Sequence, residues 1–337
     1  MSFVVNWAQM RLFVAAVFAA ACMASTGEDQ FNGRWDITVK GENTPRAWWL
    51  EVSGAGSENV KGKFVGAPGG QIDDIHTLSI YDSELRFTLD KHYRQVPNQN
   101  QHPSPRDPRS STQKGLYYAR LDQGKLKGTF EVEGDPGTYL EWIGVRAPAI
   151  ADKDDGTWKR GEGVNLFDGK DMAGWSMIGP SHIPWSVKQG MATAGPGAAD
   201  IVTDRKFWNF VLHVEFRLGV GGTSGIGLRG RYEVQIADDI GRPPSVFSNG
   251  AVYGRIAPVI NASRDPGEWQ TFDIRLVGRQ VTVSVNGVRV IDRQTIEGLT
   301  PIAIDANEGD PGPILLQGDH GTVEFRKVVL YPLTKTP

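Results

Sequence analysis

From residue 207 to 218, apolar and polar side chains alternate. Phe210, Leu212, Val214 and Phe216 fall on one side, and His213, Glu215 and Arg217 on the other. An extended chain sends successive side chains to opposite faces, so this pattern predicts a strand with one buried face. Residues 272–277 and 281–285 alternate likewise, with Gly278-Arg279 between them as a tight turn. Asn286-Gly287 then turns the chain into 288–291, a strong hairpin signal, and 323–331 is a last strand. Upstream, short strand-like runs recur at 33–39, 47–52, 60–65, 77–80, 85–89, 116–121, 125–132 and 139–145. Asp82-Ser83 and Asp122-Gln123-Gly124 fit hairpin turns between them. No segment beyond about ten residues keeps a helical period. The expectation is an all-β chain. A small antiparallel β-barrel-like unit spans 31–147, a linker 148–159, and an antiparallel jelly-roll sandwich 160–333.

Two segments break the pattern. Residues 92–114 hold His92, His102 and four prolines among Asn, Gln, Arg and Ser, which predicts a long polar flap. At the start, Arg11 precedes an apolar run from Leu12 to Ala21 and then small residues. That is the layout of a secretory signal, 1–24, too short for a comfortable membrane span. It predicts an exported, periplasmic or secreted protein. Cys22, the single cysteine, lies inside it and offers an alternative lipoprotein cleavage. Removal of the signal leaves no cysteine for disulfides, thiolate metal sites or nucleophilic catalysis. Net charge is −3, with no basic, aromatic-interleaved patch, so nucleic acid is excluded as a partner. The glycines at 219, 221 and 222 lack the lysine and helix of a phosphate loop, and no Gly-x-Ser-x-Gly elbow is present. Gly33-Arg34-Trp35 is similar to the opening of lipocalin-type barrels.

Residues 225–236 concentrate the candidate chemistry. Read as one strand, they place Leu228, Tyr232, Val234 and Ile236 on a core face with Gly230, and Arg229, Arg231, Glu233 and Gln235 in one row on the other. Gly225 and Gly227 leave the start of this strand open to close approach. A solvated sheet face is the plain alternative.

Leu166-Phe167-Asp168-Gly169-Lys170-Asp171-Met172-Ala173-Gly174-Trp175 resembles the opening of the 3-keto-disaccharide hydrolase family. Trp185-Ser186-Val187, Ser224 to Gly230, Tyr232 to Ile236, Asn249 to Gly254, Gly267-Glu268-Trp269 and Gly312 to Gly321 follow in the family's order, over about 160–333. The resemblance implies a concanavalin-like jelly roll acting on sugars oxidised at C3, some members being lyases. Nothing carries over to 31–147, which could shape the substrate entrance, bind the aglycone or pair subunits.

A C3 ketone acidifies the C2 hydrogen. A base can remove it, and the glycosidic oxygen on C1 then leaves by β-elimination, with or without later hydration. On this reading His320 and Glu233 are candidates for proton transfer and Arg229 for the enolate. Gln235, Arg231, Tyr253, Trp185 and Asp319 would bind the sugar. Glu233, Asp238, Asp319 and His320 suit Ca or Mn if a divalent cation takes part; no organic cofactor is implied. Each residue also has a structural reading: a turn-ordering histidine, ion pairs within the row, aromatics in the core. A homo-oligomer is left open, and a glycoside 3-dehydrogenase is the implied pathway partner. The alternative of another class is a non-catalytic carbohydrate-binding module on the same fold.

Overall fold

The computed structural model describes residues 27–40, 47–66, 71–91, 112–318 and 320–335. The predicted signal, Cys22 and almost all of the 92–114 flap, with both its histidines, lie outside the described residues. Among the described residues, no helix is long and apolar enough to cross a membrane.

The first unit contains β1 (Gly33–Lys40), β2 (Ala47–Ser53), β3 (Lys61–Val65), β4 (Ile72–Ile75), β5 (Ser79–Tyr81), β6 (Glu84–Lys91), β7 (Gln113–Asp122), β8 (Lys125–Val132) and β9 (Asp135–Arg146). They form one antiparallel sheet in the order β4-β3-β2-β1-β9-β8-β7-β6-β5. β4 comes back against β6, so the sheet curls almost into a barrel. Its inside is filled by rings. Trp48, Phe64, Phe87, Tyr117 and Phe130 pack together, Phe87 stacking on Tyr117 at 4.5 Å. β4 escaped the sequence reading because Ile72-Asp73-Asp74-Ile75 carries a turn-like acidic pair.

The second unit adds β10 (Trp158–Arg160), β11 (Val164–Phe167), β12 (Trp175–Ile178), β13 (Ser186–Lys188), β14 (Met191–Ala194), β15 (Asp200–Thr203) and β16 (Phe210–Leu218). Then come β17 (Thr223–Leu228), β18 (Tyr232–Ala237), β19 (Gln270–Val277), β20 (Gln280–Val285), β21 (Val288–Thr295), β22 (Leu315–Leu316) and β23 (Val323–Lys335). The larger sheet runs β13-β14-β23-β16-β19-β20-β21, with β10 and β11 also on β23; the smaller runs β12-β15-β22-β17-β18. Phe210, Leu212, Val214 and Phe216 meet Ile226, Leu228, Val234 and Ile236 in one core, all without exposed surface. Each such side chain stabilises the fold by roughly 1.5–3 kcal/mol relative to exposure. The result is an antiparallel sandwich of jelly-roll type.

The two units share this core. Ala47, Trp49 and Val65 of the barrel join the sandwich's apolar cluster. The connecting segment is pinned as well. Asp154 takes two hydrogen bonds from Arg275, at 2.7 and 2.8 Å, and Asp152 accepts from Trp208 and Asn209.

Candidate functional site

The stretch 225–236 is a hairpin and not the single strand its alternation suggested. β17 and β18 pair antiparallel, joined through Arg229, Gly230 and Arg231. Arg229 and Gly230 have φ of +54° and +66°. The left-handed region suits glycine and strains arginine. Gly230 was the turn signal that periodicity overrode. The hairpin therefore divides the expected polar row: Arg229 and Arg231 belong to the turn, while Glu233 and Gln235 stay on the outer face.

On that face the register aligns side chains across five strands or strand-like segments. Gly227 lies opposite Glu233 and Gly225 opposite Gln235. On the far side of β17, Leu315 pairs with Gly227, and Gln317 N donates to Gly225 O at 3.0 Å. Val202 pairs with Leu315, which brings Asp200, two residues earlier, level with Gln317. Beyond β18, Gln235 N donates to Ala251 O and Tyr253 N to Glu233 O. Val252 bridges Val234 and is buried in the core, so Tyr253 shares the face of Glu233. The floor is glycine backbone: a Cβ on Gly225 would stand 2.4 Å from Glu233 Oε1, so the carboxylate lies across that glycine.

Burial first, and the nearby Glu233 charge second, hold the Tyr253 phenol above its ordinary range. Phe247, half exposed, meets the Tyr253 ring edge-on at 5.1 Å. Thr300, fully buried, fixes the backbone here, its Oγ1 accepting from Glu233 N at 2.9 Å and donating to Arg231 O. Sequence reasoning did not single out Asp200, Gln317 or Thr300 for this site. The pairing of β15 with β22 and of β22 with β17 places the first two, and no local pattern announces it.

Tyr232, one residue from Glu233, points the other way into a buried polar network. Its hydroxyl donates to Glu308 Oε1 at 2.6 Å, and Arg279 donates to Glu308 Oε2 at 2.6 Å. Arg231 pairs with Asp305 and donates to Asp310 O. Arg229 has no exposed surface. It donates to Gly278 O at 2.5 Å and sits 4.1 Å over the Trp208 ring and 5.2 Å from that of Tyr232. Neither arginine is brought to the face of Glu233, which corrects their expected place beside it.

Other expectations also shift. Trp185 is a core residue, its Nε1 donating to Ala199 O at 2.8 Å and its ring packed against Phe325, so it offers no open stacking face. Asp238 accepts from Gly221 N at 2.8 Å. Asp239 accepts from Asn249 N and Ser263 Oγ and organises a loop. His320 is exposed, just past the turn in which Gly318 N donates to Asp200 Oδ1 at 3.0 Å. Asp319 lies outside the described residues. Among the described residues, no group of three or more His, Cys, Asp or Glu is placed to hold a metal ion.

A Bacteroides thetaiotaomicron protein named 3-keto-disaccharide hydrolase is 34% identical over 74 residues, 19% of this chain. The chain spans 26% of that relative's length. Two crystal structures of Parabacteroides distasonis proteins, provisionally named glycosyl hydrolases, are also similar. One is 29% identical with a TM-score of 0.45, covering 55% of this chain and 91% of its own. Another is 24% identical with a TM-score of 0.40, covering 51% and 100%. The model of one family matches residues 162–330, half of the chain, from β11 to β23 and including every residue of the outer face described above. The protein belongs to that family, the 3-keto-alpha-glucoside-1,2-lyase-like domains.

Proposed function

We propose that this protein cleaves 3-keto-glycosides at the glycosidic C1–O bond, on the outer face of the smaller sheet. The observation that carries this reading is the pairing of Glu233 with Tyr253 over a floor of glycine backbone, flanked by Gln235, Gln317 and Asp200. The missing side chain at Gly225 lets the Glu233 carboxylate lie over the backbone, where it would meet a sugar ring on this face. The amides and Asp200 then offer hydrogen bonds to its hydroxyls.

In this scheme Glu233 takes the C2 proton. The C2–H electron pair forms the C2=C3 bond of an enolate, with charge on the C3 oxygen. The Tyr253 hydroxyl donates a hydrogen bond to that oxygen. Collapse of the enolate restores the ketone, forms C1=C2 and breaks the C1–O bond. His320 supplies a proton to the departing oxygen. Water added across C1=C2 would give the 3-keto sugar, and omission of that step would leave an enone. General acid–base groups of this sort contribute about 10²–10⁴-fold each. Arg229 is left out, because its guanidinium is fully buried over the Trp208 ring with Nη2 on Gly278 O, away from the face of Glu233.

The test is product analysis with 3-keto-glucosides and their unoxidised parents, with and without chelator. Aglycone release from the 3-keto forms alone supports the reading. An accumulating enone marks a lyase and a 3-keto sugar a hydrolase, while loss on chelation brings in a divalent cation with Glu233 and His320 as its first candidate ligands. Sugar binding without turnover replaces this reading with a carbohydrate-binding module. Export through residues 1–24 belongs to the same proposal, and N-terminal sequencing of the mature protein checks it.

A further inference from the structure

We propose that the barrel braces the reactive pair, and that Trp49 and Arg255 are positioning residues for Glu233 and Tyr253. This rests on the site assignment above. It gives the first unit, which lies outside the matched family region, a part in the chemistry.

The barrel's interior is closed by its own rings, Trp48, Phe64, Phe87, Tyr117 and Phe130, so its contribution is sought on its outer wall. There Trp49 leaves β2 toward the sandwich and is fully buried in the sandwich core. It touches two segments. The first is Gly298: a Cβ there would lie 2.2 Å from Trp49 Nε1, so the indole rests directly on glycine backbone. The second is Arg255, whose guanidinium stacks 4.3 Å above the Trp49 ring. Arg255 ties these segments together by donating from Nε and Nη2 to Leu299 O. Next to the barrel's edge, Ala47 N donates to Ala303 O, and Ala303 N to Thr300 O.

Both segments end on the site. Leu299 precedes Thr300, whose Oγ1 accepts from Glu233 N. Arg255 follows Tyr253 by two residues, and Gly254 between them lies against Ile72 of β4, 3.4 Å from a Cβ there. A shift of the Trp49 indole would therefore move the backbone of both Glu233 and Tyr253. Misplacement of a reacting group by about 1 Å can cost about 10²-fold in rate. Trp49 and Arg255 touch neither the outer face nor a substrate on it, and act through their neighbours.

The experiment compares wild type with Trp49→Phe, Arg255→Met and Arg255→Lys. Thermal unfolding first selects the variants that remain folded; Arg255→Lys keeps the charge and gives up the two-donor grip on Leu299. Two readouts follow. With a 3-keto-glucoside, kcat should fall about tenfold or more while KM changes less than about threefold. With ¹³C-labelled tyrosine, the Tyr253 phenol, assigned by its loss in Tyr253→Phe, should titrate lower in the variants than in wild type as the ring escapes burial and the Glu233 charge. Folded variants that keep wild-type kcat and the wild-type Tyr253 titration overturn the brace. If wild type releases no aglycone, the activity reading fails by itself, and the tyrosine titration still decides the brace.

Discussion

Tyr232 and Glu233 are neighbours in sequence and stand on opposite sides of β18. On the Tyr232 side, Glu308, Asp36 and Arg229 have no exposed surface and Arg231 almost none. Most of the charges there are answered: Arg231 by Asp305, Glu308 by Arg279 and Tyr232. On the Glu233 side, Glu233 and Gln235 are also buried, but they lie with Tyr253 over the glycines of β17, with the Glu233 carboxylate against Gly225 and Leu315 against Gly227. The first side joins barrel, hairpin and loop: ion pairs hold Arg231 and Glu308, and Asp36 of β1 meets Glu308, in the loop before β22, through a hydrogen bond. Buried charges cost several kcal/mol each to desolvate and survive only with good partners. Polarity alone therefore does not separate a site from a scaffold; register and neighbours do.

The largest effect should separate the two sides by what is lost. Glu233→Gln keeps shape and the Thr300 contact to the backbone but removes the proposed base. Its kcat on a 3-keto-glucoside should fall by about 10²–10⁴ while urea unfolding changes by less than about 1 kcal/mol. Glu308→Ala should do the reverse. It leaves Arg279 and Tyr232 buried without their shared acceptor. Loss of one partner from a buried pair costs about 3–5 kcal/mol. A Glu308→Ala variant of native stability in urea would show that this network holds nothing together.

Much of the fold was legible, and the reasons are local. Strict alternation in β16, β19 and β20, and the Asn286-Gly287 turn, follow from periodicity and turn chemistry that need no tertiary context. The family resemblance pointed to residues 160–333, and the matched region is 162–330. The site was less legible. Glu233, Gln235 and Tyr253 do share a face, but Arg229 and Arg231 leave it because a three-residue turn at Gly230 interrupts the alternation. Trp185 looked like a platform and is core, since an indole packs in a sandwich as well as under a sugar. Asp200 and Gln317 reach the face through pairings between strands more than a hundred residues apart in one case, which no window along the chain detects.

A middle-sized effect tests the acid pair inside the scaffold side. The Asp36 oxygens have no donor, and its pKa is raised to about 8, by burial first and then by the charge of Glu308. Arg279 and Arg231 oppose this. In the protonated form Asp36 donates to Glu308. The folded protein thus holds a proton that the unfolded chain releases near pH 4, so folding takes up a proton between those values. Stability should fall as pH rises from about 4 to about 8 and level off above. Asp36→Asn supplies a neutral donor at every pH. Relative to wild type it should gain stability on that climb, by an amount on the order of a few kcal/mol at pH 8. Parallel stability–pH curves for the two proteins would rule out the shared proton.

The smallest effect belongs to a third place, the outer face of the larger sheet. There His213 Nδ1 contacts Asp273 at 2.9 Å and Nε2 contacts Glu215 at 3.4 Å, with Arg326 on Glu215 at 2.5 Å. The hydrogen bond with Asp273 raises the His213 pKa, burial works against it, and Glu215 adds to the rise. These groups resemble a relay, yet they lie on the side of the sandwich away from Glu233. A histidine whose folded pKa is raised contributes stability that is complete below its ordinary value near 6.5 and fades as pH rises through the folded value. The Asp273 side chain is half exposed, so solvent screening keeps the contribution below about 1 kcal/mol. His213→Gln should therefore lower the unfolding free energy slightly at pH 5.5, not at pH 9, and leave turnover of a 3-keto-glucoside unchanged. A loss of turnover with intact stability would move the chemistry to this face and undo the contrast drawn across the hairpin.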